Sequence, residues 1–528
     1  MARPGHLTPM LPPREDAAGA VWGAEDGGAG GAYAAVAETH SAVVFFLGER
    51  AYKLKKPVDL GFLDFTRPGA RAVACRREVE LNRRFAPDVY LGVAAIRGPG
   101  GRVCDHLVVM RRMPAARRLS ALVRAGVPVE RPLRQVARAL AAWHAKAPRS
   151  SRIAAQGSPD GLWARWEASV GQVRELAGRL PELAALDEVE RLAGRFVAGR
   201  GALLEERVRG GYIVDGHGDL LADDIFCLDD GVRILDCLEF DDRLRWVDGL
   251  DDAAFLAMDL ERIGAPGLAE KFTGWYAEYS ADPAPASLRH HYLAYRALVR
   301  AKIAFLRAAQ GDPLGGAEAW KLAAMTMDHL QAGAVTLVLV GGPPGAGKTA
   351  LAGGLADRLG FTVLSSDRIR KELAGIPAER HCAAPWQAGI YTPGWTQRTY
   401  QELLRRAGVL LARGESVIAD ASWESPGHRA AAVALADAAR ADLVALRCAA
   451  PAGVRYRRLA ARTGGVSDAD VAVARHMAAV QAPWPEAVTV DTSGTPPEGV
   501  EQDTAWPAGP VAVQRALRAI QSPGPACP

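Results

Sequence analysis

The run Gly342-Pro-Pro-Gly345-Ala346-Gly347-Lys348-Thr349 constrains this chain more than any other stretch. It fits the pattern G-x-x-x-x-G-K-[ST], it follows the apolar segment Val335–Val340, and a helical pattern opens at Thr349. Strand, glycine turn and helix in that order turn backbone N–H groups inward around phosphates, and the helix adds its positive end. Gly342, Gly345, Ala346 and Gly347 would line that cradle. Lys348 would reach the β- and γ-phosphates, and the Thr349 hydroxyl would ligate Mg2+. Strand and helix patterns then alternate: strand Thr362–Leu364, helix Thr396–Arg413, strand Ser416–Ala419, helix Gly427–Arg440 and strand Leu443–Arg447. Such alternation implies a parallel sheet with helices on its faces.

Three further features of this half bear on chemistry. Asp367, in Ser365-Ser366-Asp367-Arg368-Ile369-Arg370, stands at the carboxyl end of the second strand, where ligands of such sheets sit. It would orient or deprotonate an acceptor hydroxyl, with Arg370 on an anionic group, or else cap the helix that follows. Asp420 ends the apolar strand Val417-Ile-Ala-Asp420 and would hold Mg2+ through water, or serve as a turn residue. Arg455, Arg458 and Arg462 are spaced to share one helix face, as lid arginines that steady a transferring phosphoryl group or as a solvated face. This half resembles the P-loop kinases of the gluconate kinase, polynucleotide kinase and zeta-toxin group, through Gly342–Thr349, Ser366-Asp367-x-x-Arg370 and the Arg458/Arg462 helix. The resemblance implies transfer of a phosphoryl group from ATP to a hydroxyl.

The first half carries a different signature. Ala42–Leu47 and Ala51–Lys55, joined by Gly48-Glu49-Arg50, read as a β-hairpin. A charged helix over about Gly69–Phe85 follows, then strands near Leu91–Ala95 and Leu107–Met113. From Leu119 the pattern is helical, apart from a β-like island at Tyr212–Phe240. His217-Gly218-Asp219, with Asp224 five residues after Asp219, resembles the catalytic loop of kinase-like folds. Asp219 would take the proton of the acceptor. Asp224 would ligate Mg2+ in place of the usual Asn, adding a negative charge. Seventeen residues beyond Asp219, the strand Val232–Leu235 delivers Asp236, a second Mg2+ ligand. Lys53 and Lys55 share one strand face, so either would contact the α/β-phosphates with Glu78 as its ion-pair partner. Lys53 is favoured, because Ala51 stands two residues before it, with Lys55 and Lys56 as the alternatives. Asp248 and Asp252 read as caps or loop braces.

Residues of about 32–310 resemble the aminoglycoside phosphotransferase family, with Leu221 where that family commonly has a second His. The whole chain resembles a bacterial two-domain group joining such a domain to a C-terminal P-loop kinase. That closer likeness rests on Lys53-Leu-Lys-Lys-Pro57, Gly61-Phe-Leu-Asp-Phe65, Arg77-Glu78-Val-Glu-Leu-Asn82, Asp236-Cys-Leu-Glu-Phe240 and Phe255-Leu-Ala-Met-Asp-Leu260. The expected organisation is therefore a flexible arm (1–31), a bilobal α+β kinase-like domain (32–330), an α/β P-loop domain (331–497) and a Pro/Gly-rich tail (498–528) with one helix near Val511–Gln521.

Composition excludes several classes. The 64 basic and 60 acidic residues nearly balance, and no aromatic-rich basic groove stands out, so nucleic acid is not an expected partner. Only nine of the basic residues are lysine, which gives the Lys53/Lys55 pair weight. Seven dispersed cysteines without a CxxC pair, a charged and proline-bearing start, and no apolar run of about 20 residues point to a cytoplasmic protein without a membrane span. The expectation is an ATP- and Mg2+-dependent phosphotransferase acting on small-molecule hydroxyls at two nucleotide sites. A second is a P-loop ATPase regulated by a ligand-sensing kinase-like domain.

Overall fold

Alternating burial along Ala42–Leu47 (β2) and Arg50–Lys55 (β3) follows from the period-two pattern of their apolar side chains. The two pair antiparallel with Val44 opposite Lys53. Ala34–Glu38 (β1) precedes them, and Tyr90–Arg97 (β4) and Val103–Arg111 (β5) complete an antiparallel sheet in the order β1-β2-β3-β5-β4. The helix Pro68–Asn82 opens with Pro68 in its first turn, where the missing N–H costs nothing. Val44, Phe46, Ala51, Cys75, Val79, Tyr90, Val108 and Met110 form the core between sheet and helix. Sequence reading overlooked β1, a short strand of small residues.

The β-like island resolves into three short strands, and a fourth lies just beyond it. Ile213–Asp215 (β6) pairs with Trp246–Asp248 (β9), and Ile225–Leu228 (β7) with Gly231–Ile234 (β8), all antiparallel. The helix Gly249–Arg262 starts at Asp248, whose carboxylate accepts from the Leu250 N–H.

The C-terminal sheet is built from Thr336–Gly341 (β10), Thr362–Ser365 (β11), Val417–Asp420 (β12), Asp442–Ala449 (β13) and Val488–Asp491 (β14). All neighbours are parallel, in the order β11-β12-β10-β13-β14. Every residue of β10 is buried, as a central strand covered on both faces requires. The helices Lys348–Leu359, Pro393–Ala412 and Pro426–Ala438 lie between these strands in sequence. The expected C-terminal helix is present at Pro510–Gln521, where Val513, Ala516 and Ile520 pack with Leu351 and Leu355 of the P-loop helix.

The computed structural model describes residues 34–39, 41–59, 64–177, 184–382, 385–462, 464, 466–480, 482–494 and 510–521. The expected N-terminal arm, positions 61–63 of Gly61–Phe65 and most of the Pro/Gly-rich tail lie outside them. Packing groups the residues up to Gly157 with Arg207–Pro283, and Ser158–Glu206 with everything from Ala284 on. The helices of 158–206 and 284–332, which sequence reading assigned to the first domain, thus pack with the P-loop sheet. Polar contacts show why: Arg200 donates to the Leu411 carbonyl, Ser287 Oγ donates to the Gly414 carbonyl at 2.7 Å, and Arg195 pairs with Asp442. Among the described residues no helix is long and apolar enough to cross a membrane.

Leu337 sits fully buried in the central strand, whereas Val433 is exposed on a helix of the same unit. Leu337→Ala is expected to cost about 2–5 kcal/mol and Val433→Ala less than about 0.5 kcal/mol. Denaturant midpoints of the two variants would check this.

Candidate nucleotide and phosphoryl-transfer sites

Because β3 alternates, Lys53 and Lys55 both face inward, among apolar neighbours that cannot solvate an ammonium. Carboxylates fill that need. Glu78, from the helix Pro68–Asn82, takes Lys53 on one oxygen at 3.0 Å and Lys55 on the other at 2.7 Å. Lys53 also donates to Asp236 at 2.6 Å, and Lys55 to Glu239. Burial by itself would depress the Lys53 ammonium, yet Asp236, Glu78 and Glu239 outweigh it and hold its pKa well above the ordinary lysine value. The same opposition raises Lys55 through Glu239 and Glu78, and keeps Glu78 well below the usual carboxylate range through the two lysines. At Glu239 burial dominates and the carboxyl is raised. Sequence reading left open which lysine pairs with Glu78; both do. Glu239 was passed over as a site residue, although its position three after Asp236 was the available signal.

Asp236 leaves β8 with φ +64°, a left-handed backbone that non-glycine residues rarely adopt. Its N–H donates to the Tyr90 hydroxyl at 3.1 Å, and the next N–H, of Cys237, donates to Asn82 Oδ1 at 2.8 Å. These bonds fix the turn and set the carboxylate before Lys53.

The loop His217–Asp224 is braced from below. Asp252 accepts the N–H groups of His217 and Gly218, both at 2.8 Å, and His144 Nε2 at 3.0 Å. Burial works against its charge, but these donors win and its carboxyl lies far below the usual range. Burial in turn keeps His217 neutral, with Nε2 donating to the Leu235 carbonyl at 3.0 Å. Asp252 therefore acts as the expected brace. Asp219 follows the turn half-buried, and the buried Asp224 closes it by accepting the Leu235 N–H on its backbone carbonyl at 2.9 Å.

In the second unit the phosphate loop follows β10. Gly342 has φ +132°, and a Cβ there would lie 2.6 Å from the Cys448 carbonyl oxygen. Gly345, with φ +75°, is equally close to the Arg455 carbonyl oxygen. Side chains at either position would force the loop open. Ala346 is fully buried, and the Thr492 hydroxyl donates to its carbonyl at 2.6 Å. Lys348 Nζ lies 3.3 Å from the Pro343 carbonyl, folded back over the loop. Thr349 Oγ1 donates to Asp420 Oδ2 at 2.7 Å. Burial pushes the Asp420 carboxyl up to about 6, against the pull of Lys348 and Thr349. A buried carboxylate and a hydroxyl, both hard oxygen donors, fit Mg2+, which takes one or two carboxylates and completes its shell with phosphate oxygens and water. Among the described residues no cluster of three His, Cys, Asp or Glu side chains could hold a metal alone.

Ser365, and not Asp367, caps the helix Ser366–Leu373. Asp367 is half-buried close enough for its charge to act on Asp420, Tyr391 and Arg462. Arg370 is buried across the Tyr391 ring and donates to the Ile390 carbonyl at 2.9 Å. The arginine face requires correction. The helix Ala452–Ala460 ends before Arg462, which donates to the Ser467 carbonyl instead. Arg455 is buried and donates to the Ala450 carbonyl, while Arg458 donates to the Gly345 and Thr492 carbonyls beside the phosphate loop. Glu424 went unnoticed in the sequence. Burial lifts its carboxyl to about 7, against the pull of Lys348. Beside the loop, a cleft of about 650 Å3 to its open mouth is lined by Pro343, Arg447, Cys448, Pro451, Arg455 and Asp491.

Residues 337–483 match the AAA domain family. The chain is 43% identical over 467 residues to the uncharacterized protein Rv2004c of Mycobacterium tuberculosis, covering 88% of this chain and 94% of that one. An uncharacterized protein of Mycobacterium bovis, Mb2027c, matches to the same extent. The chain belongs to this family. Solved structures similar to parts of this family member include a choline/ethanolamine kinase family protein from Mesorhizobium loti, 17% identical, covering 56% of this chain and 87% of that one at a TM-score of 0.38. Another is a gluconokinase from Sinorhizobium meliloti, 19% identical, covering 35% and 91% at a TM-score of 0.24.

The raised Asp420 gives a pH signature. The unfolded chain releases this proton near the ordinary aspartate pKa of about 4, the folded chain only near 6. Its stability contribution is complete below about pH 4 and lost as pH rises to about 6, by on the order of 3 kcal/mol. Without divalent cations, Asp420→Asn should gain that much relative to the parent between pH 4 and 7, read from denaturant midpoints. A constant difference would contradict it.

Proposed function

We propose that this chain is an ATP- and Mg2+-dependent phosphotransferase with two nucleotide sites, each passing the γ-phosphoryl group to a hydroxyl of a small-molecule acceptor. The observation that carries the reading is the Thr349–Asp420 contact beside Lys348, directly after a strained glycine loop. Loop and contact together bring phosphate donors, a cation and metal-ligating oxygens to one place, Asp420 arriving from the end of β12.

At this site the loop N–H groups and Lys348 would hold the β- and γ-phosphates, and Asp420 with Thr349 would hold Mg2+. Asp367 would orient the acceptor hydroxyl and receive its proton, Arg370 would bind an anionic part of the acceptor, and Arg458, beside the phosphate loop, would face the transferring group. In the first unit Lys53, steered by Glu78, would bind the α/β-phosphates. Asp236 and Asp224 would take Mg2+, and Asp219 would receive the acceptor's proton. Mg2+ supplies charge neutralisation between phosphate oxygens, and the remaining catalysis is positioning. Six cysteines among the described residues are free thiols, which supports a reducing, cytoplasmic setting.

A second reading has one supporting observation. Lys53 and Asp236 are paired with each other, so each occupies the other's ligand position. A ligand that left this pair closed would make the first unit a sensor gating a P-loop ATPase.

Phosphate transfer from labelled ATP to a panel of polar metabolites and aminoglycosides would separate the readings. Lys348→Ala should reduce the P-loop share of activity by at least about 100-fold. Asp219→Ala should remove a separate share by about 100-fold or more. Loss in Lys348→Ala alone, with Asp219→Ala unchanged, favours the sensor. Full activity in both variants would refute the proposal.

A further inference from the structure

The second unit contains a cavity remote from the phosphate loop. It lies at the amino-terminal ends of β10 and β13, marked by Val335 and Asp442, whereas the loop follows the carboxyl end of β10. Helices Ala184–Gly199, Ala286–Ala309 and Gly315–Ala332 supply its other walls, through Arg195, Ser287, His291 and His329. Arg200 follows the first of these helices. The space, counted to its mouth with the open solvent there included, is about 380 Å3.

Its polar lining is short of acceptors. Arg200 is 1% exposed. Its Nη atoms donate to the carbonyls of Gly199, Leu411 and Arg440, but its Nε–H meets no acceptor among the described residues. No carboxylate pairs with it there. Burial and the neighbouring Arg195 bring its pKa down to about 10. His291, also 1% exposed, accepts the Trp166 indole N–H on Nε2 at 3.0 Å. An indole nitrogen can only donate, so the neutral ring carries its proton on Nδ1. That Nδ1–H is likewise buried without an acceptor, and the ring is fixed by stacking on Phe196 at 4.2 Å. Among the described residues Asp442 is the only acid in the lining, and Arg195 already engages it. Arg440 stands exposed as a further cation.

Two buried donors without acceptors are costly unless an acceptor completes them, and three arginines against the one carboxylate of Asp442 around the cavity favour a negative one. We propose that this cavity is a binding site for a small oxyanion of the phosphate or sulfate kind, held by Arg200 Nε–H and His291 Nδ1–H and drawn in by Arg195 and Arg440. Arg200 reaches the carbonyl of Leu411, in the helix leading to β12, so the occupant would brace the amino ends of the strands whose other ends form the nucleotide site.

The test uses the full-length chain carrying Lys348→Ala, so that phosphate does not report on the nucleotide loop. Inorganic phosphate, sulfate and chloride are titrated separately while Tm is followed. Phosphate or sulfate should give a saturable rise of about 3–6 °C at tenfold excess over its Kd, and chloride at equal ionic strength none. His291→Phe keeps the stacked ring and removes the donor; Arg195→Gln removes the half-buried cation. Each, added to the same background, should weaken the oxyanion at least about tenfold. Arg200→Lys should do the same where it folds, and the other two variants carry the test where it does not. No saturable rise, a rise with chloride equal to that with phosphate, or an unchanged response in both His291→Phe and Arg195→Gln would overturn the proposal.

Discussion

A charged group inside a protein must find an opposite charge or a set of hydrogen-bond partners, because water no longer solvates it. Both candidate sites are arranged around that requirement. In the first unit it begins with two lysines on the inner face of β3, which call up Glu78 from one helix and Asp236 and Glu239 from one segment after β8. In the second it begins with Asp420 at the buried end of β12, which depends on Thr349 and Lys348 from the loop beside it. The two acids differ in consequence. Glu78, between two ammonium groups, is held ionised, whereas Asp420, short of compensation, is pushed towards its neutral form. A divalent cation is the natural completion of the second arrangement.

The same requirement explains which strands end where. Asp236 bends into left-handed backbone as it leaves β8, and the conformation persists because Tyr90 and Asn82 hold its N–H and the next. Asp252 anchors the His217–Asp219 turn by taking two backbone N–H groups that would otherwise be buried without partners. The phosphate loop uses glycine for a steric reason: carbonyl oxygens of Cys448 and Arg455 occupy the space a Cβ would need.

Much of this was legible in the sequence because the relevant signals are local. The phosphate loop announces itself by spacing, the first hairpin by alternation, and Asp219, Asp224 and Asp236 by their order around short strands. What was hidden depends on distant parts of the chain meeting. Lys53 and Lys55 looked like rivals, because a strand pattern shows a shared face but not that one carboxylate can serve both. Glu239 has no motif of its own, and its role exists only through Lys55. Arg462 follows the helical spacing of Arg455 and Arg458, yet the helix stops at Ala460 and the side chain turns elsewhere. The strand β14 is a short segment in which only Val490 is buried, too little for periodicity to register. Helices of 158–206 and 284–332 read as part of the first domain by order along the chain, but their arginines and Ser287 bind carbonyls and an acid of the P-loop unit.

The central claim is that one chain carries two separately built nucleotide sites. Equilibrium dialysis of the full-length protein with a non-hydrolysable ATP analogue and Mg2+ tests it most directly. The account predicts two molecules bound per chain, falling to one in Asp236→Ala and to one in Lys348→Ala. A stoichiometry of one, abolished by Lys348→Ala and untouched by Asp236→Ala, would contradict it.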